Sequence, residues 1–186
     1  MLILGSSSKR REELLLSAGL TFKVVDPIFD ESNNNRHNVK PESYALNAAK
    51  RKNYSLKEQY PNDVLITADT IVVFGKEILG KPKDLDDAYH MLEKLRGKKH
   101  EVITAVCITQ NKKEISFTEK STVYFNNVSD DEIKTYVETK EPLGKAGSYA
   151  IQGKGSFLIE KYEGDFHTIM GLPLKKVIEN LEDFSF

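Results

Sequence analysis

Asp69 stands inside an apolar run, VLITADTIVVF, from Val64 to Phe74. Apolar and β-branched residues in such a row read as a buried strand. A carboxylate there is costly to bury unless it is paired or bound to a cation. GKEILGKPK follows. Gly75 and Lys76 suggest a turn, Glu77 to Leu79 a short return strand, and Gly80-Lys81-Pro82 a loop. The hairpin is expected to bring Lys81 back towards Asp69. A buried acid facing a lysine can hold a metal ion or a water against a phosphate. The alternative is a structural Asp hydrogen-bonded to a neighbouring loop, since structural ion pairs also place acids in cores.

Other stretches offer complementary chemistry. Met1 to Gly5 reads as a short strand, and SSSKRREELLLSAGL turns from it into a helix. Leu14, Leu15 and Ala18 share one face, Gly19 is the stop, and Ser6, Ser7 or Ser8 can cap the start. Arg10 and Arg11 fall in the first turn, where the helix dipole is already positive, and Glu12 and Glu13 offset this in part. Helix N–H groups beside two arginines make an anion site; the plainer reading is a solvated, charged first turn. No Walker A sequence occurs, so this is not a P-loop.

Phe22 to Val25 reads as a second strand, followed by Asp26, Asp30 and Glu31. These acids form either a surface loop or half of a metal site, because Mg²⁺ prefers oxygen ligands and keeps several waters. SNNNRHN, residues 32–38, is the candidate for a flexible loop over a cleft. A helix is expected from Pro41 to Tyr60, with Ala45, Ala48, Ala49 and Leu56 as its stripe. Lys52 falls on that stripe, either snorkelling from its edge or aimed as a cation into a site. Gln152 sits in a glycine-rich stretch, KEPLGKAGSYAIQGKGSFLIEKYEGD, with both a donor and an acceptor suited to a base edge. A tight hairpin with an incidental amide is the alternative.

The remaining elements frame these residues. Asp84 caps a helix whose core face is Leu85, Ala88, Met91, Leu92 and Leu95 and whose stop is Gly97. HEVITAVCITQ is too apolar on both faces for an edge strand and belongs in the centre of a sheet. Glu114 to Asn127 supplies one or two further strands. Ser129 to Glu132 is a capping box opening a helix to about Lys140, and Gly171-Leu172-Pro173 opens a last one.

Composition narrows the class. The 186 residues suffice for one substantial domain, and 39% hydrophobic with 30% charged residues is ordinary for a soluble globular chain. A net charge of -1 gives no global electrostatic case for nucleic acid or an anionic membrane. The single cysteine, Cys107, excludes an internal disulfide and is read as core packing. No signal-peptide pattern and no apolar run of about 20 residues is seen, so the expectation is a cytoplasmic protein.

Taken together, the motifs resemble the Maf family of nucleoside triphosphate pyrophosphatases. The resemblance runs the length of the chain. It rests on SSSKRREELL, the Asp30-Glu31 pair, AAKRK (Ala48 to Lys52), ITADTIV (Ile66 to Val72), Gly80-Lys81-Pro82, HEVITAV (His100 to Val106), KAGSYAIQG (Lys145 to Gly153) and Gly171-Leu172-Pro173. KAGSYAIQG looks like the branch acting on dTTP and UTP rather than on 7-methyl-GTP. The resemblance implies an α/β fold, with a mixed central sheet flanked by helices and two lobes around a cleft, as one domain over 1–186, as in inosine-triphosphatase-like proteins. It implies Asp69 as catalytic proton acceptor. Arg10, Thr70 and Gln152 would set specificity, while Ser6, Ser8, Arg11, Lys52 and Lys81 would bind phosphate or substrate. Glu31 and Asp69 would hold Mg²⁺ or Mn²⁺. A homodimer is expected, without nucleic acid or membrane partners, and any link to septum formation and division arrest is implied by the resemblance alone. One departure is Lys9, where the family usually has a proline that presets the first helical turn. Two other readings stay open: a pyrophosphatase of different base preference, and a nucleotide-binding regulator without turnover.

Overall fold

The computed structural model describes residues 1–30, 36 and 38–186. Glu31, and all of the 32–38 segment except Arg36 and Asn38, lie outside the described residues. In chain order the elements are β1 (Leu2–Gly5), α1 (Lys9–Ser17), β2 (Lys23–Val25), α2 (Pro41–Lys57), β3 (Val64–Phe74), β4 (Glu77–Leu79), α3 (Leu85–Leu95), β5 (Lys99–Gln110), β6 (Lys113–Phe125), α4 (Asp130–Glu138), β7 (Ile159–Glu163), α5 (Phe166–Met170) and α6 (Leu174–Leu181). Two short 3₁₀ turns, Ala146–Ser148 and Lys154–Leu158, lie between α4 and β7.

Among the described residues the strands form one sheet in the order β2-β1-β3-β5-β6-β7, with β4 paired to β3. The sheet is mixed: β1 runs parallel to β2 and β3, whereas β4 is antiparallel to β3 and β7 to β6. The expected α/β architecture, a mixed sheet flanked by helices, is thus observed. β5 lies inside the sheet, as its two apolar faces require. Glu114 to Asn127 contributes one strand, β6, in which burial alternates over the last five residues, Ser121 to Phe125. The glycine-rich stretch forms no hairpin; it winds through the two 3₁₀ turns. The five-residue α5 has too short an apolar period to be read from sequence.

The chain divides into two compact units. The first comprises residues 1–70, 104–119 and 171–186. Its core includes Ile3, Leu56 and Leu65, with Val25 and Tyr60 packed against them. Gly5 is required at a close approach: an added Cβ would lie 2.7 Å from both Leu56 Cδ1 and Thr67 Cγ2. Asn53, fully buried on α2, donates through Nδ2 to the carbonyls of Leu65 at 3.3 Å and Cys107 at 3.2 Å and accepts from Thr109 Oγ1 at 2.7 Å. Thr67 Oγ1 donates to the Ala49 carbonyl at 2.7 Å. These buried, satisfied bonds fix the rotation of α2 on the sheet, and so fix where Lys52 points.

The second unit comprises residues 71–103 and 120–170. Leu92 and Leu95 of α3, Ile133 of α4, Val123 of β6 and Leu158 are fully enclosed in its core. Asp84 caps α3 by accepting from Asp87 N at 2.7 Å. Ser129 and Glu132 form the expected capping box on α4.

Candidate active site

Asp69 and Thr70 lie on β3 just past the residues that pair with β1, since that parallel register ends at Gly5 opposite Thr67. The carboxyl end of parallel strands in an α/β sheet is where such folds place ligands. Asp69 is not stranded there. Lys52 Nζ lies 2.7 Å from Asp69 Oδ1, with the two side chains 11% and 14% exposed. That exposure is small enough to strengthen the pair and large enough for solvent or a ligand to reach it. Lys52 Nζ also donates to the Ala68 carbonyl at 3.4 Å and stands 5.0 Å from the centre of the Phe29 ring. Among the described residues Lys52 is the only hydrogen-bond partner of the Asp69 carboxylate.

The cation paired with Asp69 within the first unit is Lys52. The hairpin does form, with Val72 opposite Leu79. Lys81 is exposed, two residues beyond β4. The sequence signal for Lys52 was its place on the apolar stripe of α2. The structure selects the inward-facing reading because the pinned helix aims that stripe at β3.

The β1–α1 corner is built around Arg11. Ser8 is the N-cap of α1 and accepts from Arg11 N at 3.5 Å. Ser6 Oγ accepts from Ser8 N at 3.2 Å and from Arg11 Nη1 at 3.3 Å. Arg11 Nε donates to the Gly171 carbonyl at 2.7 Å, and Nη2 to Thr70 Oγ1 at 3.0 Å. Thr70 Oγ1 is also 2.9 Å from Thr104 Oγ1. Arg11 is buried, so the solvated-turn reading holds for neither its burial nor its partners, while Arg10 beside it is half-buried. The guanidinium binds the serine corner to β3 and to the turn before α6, placing Ser6, Arg11 and Thr70 in one network. Sequence reasoning did not foresee Thr104 or the Gly171 carbonyl in it: both fall in stretches that carry the resemblance, HEVITAV and Gly171-Leu172-Pro173, but they are distant in the chain and nothing local joins them to Arg11.

In the second unit, Gln152 is exposed between buried Ile151 and half-buried Gly153. Its loop is held at several points. Gly147 N donates to the Gly80 carbonyl at 3.1 Å, tying it to the loop that carries Lys81. Gly147 has φ of 67°, and an added Cβ would lie 2.6 Å from Val72 Cγ2. Ala150 N donates to the Tyr136 hydroxyl at 3.3 Å. Tyr149 OH lies 2.6 Å from Nε2 of buried His100. Burial pushes His100 down to about 3 and raises the Tyr149 phenol. The pair is thus neutral at physiological pH and acts as a prop, not as a proton shuttle.

The fold and site are those of a mixed α/β protein with a near-buried acid–lysine pair past a strand's pairing and a serine–arginine corner at a helix start. A sequence model described as "Maf-like protein" matches residues 1–184, and the chain belongs to that family. A protein of Acholeplasma laidlawii called "dTTP/UTP pyrophosphatase" is 50% identical, with 100% of this chain and 97% of the relative covered. Proteins of the same description from Pyrococcus abyssi and Bacillus velezensis are 45% and 41% identical, covering 96% and 99% of this chain and 94% and 96% of their own lengths. The solved structure of a HAM1 protein from Coxiella burnetii covers 98% of both chains with a TM-score of 0.53 at 12% identity, a likeness of fold alone.

The family resemblance raises a divalent metal. Among the described residues no cluster of three or more His, Cys, Asp or Glu could hold one. Mg²⁺ does not need such a cage; it is held by one or two carboxylates, waters and substrate phosphates. Asp69 offers an oxygen beyond the one engaged by Lys52. The Phe29 ring beside Lys52 brings the acidic DPIFD segment to that place. This donor set fits a hard, oxygen-preferring ion.

Proposed function

We propose that this chain is a nucleoside triphosphate pyrophosphatase that hydrolyses dTTP and UTP to the monophosphate and pyrophosphate. The observation that carries the reading is the Lys52–Asp69 pair at 2.7 Å, still open to solvent, in a chain alike over its whole length to proteins of that description. Water adds to the α-phosphorus while the bond from that phosphorus to the bridging oxygen of the leaving pyrophosphate breaks. Asp69 accepts the water's proton. Lys52 fixes the orientation of that carboxylate by holding Oδ1. Arg11 keeps Ser6 and Thr70 in place, and Ser8 caps the helix that carries Arg10. Arg10, Lys52 and Lys81 offset charge on the triphosphate and on the leaving group. Arg10, Thr70 and Gln152 discriminate the base and sugar. A divalent cation, held by Asp69 and Glu31, supplies Lewis-acid charge to the phosphates when bound. The enzyme works as a cytoplasmic homodimer. Among the described residues no helix is long and apolar enough to cross a membrane.

The test is pyrophosphate release from a panel of nucleoside triphosphates with Mg²⁺ or Mn²⁺, wild type beside Asp69→Asn. Turnover of dTTP and UTP is expected, with a loss of about 10²-fold or more in the variant. Preference for another base overturns the specificity assignment and keeps the chemistry. Binding without turnover of any triphosphate leaves a nucleotide-binding regulator. Near-normal turnover by Asp69→Asn refutes the role given to Asp69.

A further inference from the structure

Gln152 is exposed, so no packing of its own holds its amide in one direction. An amide that reads a base must nevertheless be preorganised, because every freely rotating bond in a recognition group weakens discrimination. The backbone on its two sides has to supply that order. On the N-terminal side it is supplied by the buried Ile151 and by the bond from Ala150 N to the Tyr136 hydroxyl. On the C-terminal side the supplier is Glu141.

Glu141 lies three residues past α4. Its Oε1 accepts from Lys154 N at 3.1 Å, two residues beyond Gln152. Its main-chain carbonyl accepts from Lys145 Nζ at 2.9 Å, at the opening of the same loop. The carboxylate also occupies the space over Gly153 in which a Cβ at that position would stand. Gly153 N in turn closes a turn on the Ala150 carbonyl at 3.3 Å. The second oxygen, Oε2, is buried and has no hydrogen-bond partner among the described residues. A buried acceptor left without a partner is costly, and surface alternatives were open to a side chain of this length. The placement makes sense if the carboxylate serves the loop.

We propose that Glu141 is a positioning residue for base selection: its carboxylate, seated in the space left by Gly153 and bonded to Lys154 N, holds the backbone that aims Gln152. This rests on the reading of Gln152 as a base-reading group and extends it to a residue outside the substrate. It accounts for the glycine at 153 by the room the carboxylate needs, since Gly153 has no left-handed φ to explain it.

The experiment measures kcat/KM for dTTP and UTP against ATP and GTP, for wild type, Glu141→Ala, Glu141→Gln and Gly153→Ala. Loss of a charge-assisted backbone bond predicts a fall of about tenfold in the pyrimidine-to-purine ratio for Glu141→Ala. Gly153→Ala displaces the same carboxylate from the other side and lowers the ratio in the same way. Glu141→Gln keeps an acceptor of the same shape and restores it to within about threefold of wild type. A purely structural role would lower the melting temperature with the ratio unchanged, and that result overturns the inference. A wild type that turns over no pyrimidine triphosphate fails the functional reading instead, which is distinguishable. On the wild-type chain itself, the Lys154 amide is expected to be protected from hydrogen exchange although its residue is exposed. Exchange at the unprotected rate overturns the inference without any variant.

Discussion

Acidification should unfold this protein in part through His100. The ring is 2% exposed, with Nε2 2.6 Å from Tyr149 OH and Nδ1 buried without a hydrogen-bond partner among the described residues. Phe125 and Tyr149 meet it edge-on at 4.9 and 5.4 Å between ring centres. Protonation would place a charge and a bare N–H donor among aromatic rings, and burial accordingly depresses its pKa to about 3. The unfolded chain titrates near the ordinary histidine value of about 6.5. The folded pKa is depressed, so the stability that the neutral ring contributes is full above about 6.5 and is lost as pH falls towards about 3. Between pH 7 and pH 5 the unfolded state gains most of one proton that the folded state does not. The loss is about 2 kcal/mol at pH 5, at roughly 1.4 kcal/mol per pH unit. That figure depends on the unfolded value, because at pH 5 the folded ring stays neutral even if its pKa were a unit higher. The assay is denaturant unfolding at pH 7 and pH 5 for wild type and His100→Gln, whose residue 100 does not titrate. Wild type should lose about 2 kcal/mol more than the variant over this range. In parallel, the His100 imidazole resonances should keep their neutral-form shifts down to pH 5. Titration of that ring near pH 6.5, or equal losses in the two proteins, would refute the argument from burial.

Other perturbations are more local. Arg11→Met removes three buried or part-buried hydrogen bonds at once, those to Ser6 Oγ, Thr70 Oγ1 and the Gly171 carbonyl; it should cost about 3 kcal/mol and lower the melting temperature by about 10 °C in a scanning calorimeter. Gly147→Ala forces a Cβ to 2.6 Å from Val72 Cγ2 at a φ of 67°, and should destabilise by about 2 kcal/mol. Adding Val72→Ala should return part of that loss, leaving the conformational share, and a double-mutant cycle measures the split. Cys107 is fully buried, with its thiol pushed up to about 12 by desolvation. It should resist a disulfide-forming thiol reagent at pH 8 in the native protein and react once the chain is unfolded in guanidinium.

What the sequence determined by itself follows from local physics. Helix starts were legible because a capping side chain must sit at a fixed offset from the N–H it satisfies; Ser8, Asp84 and Ser129 all do so. β5 declared its central place by being apolar on both faces, and Asp69 drew notice because a carboxylate in such a strand needs a partner. The identity of that partner was a different kind of question. Lys81 is close to Asp69 along the chain, and Lys52 is 17 residues before it. Only the rotation of α2, fixed by the buried bonds of Asn53 and Thr67, decided for Lys52. The burial of Arg11 likewise depends on acceptors 59 and 160 residues away. Glu141 reads in sequence as one more surface acid after a helix. Its place over Gly153 exists only once the loop has closed back on the end of α4, because hydrogen bonds and excluded volume act across space while capping and periodicity act along the chain.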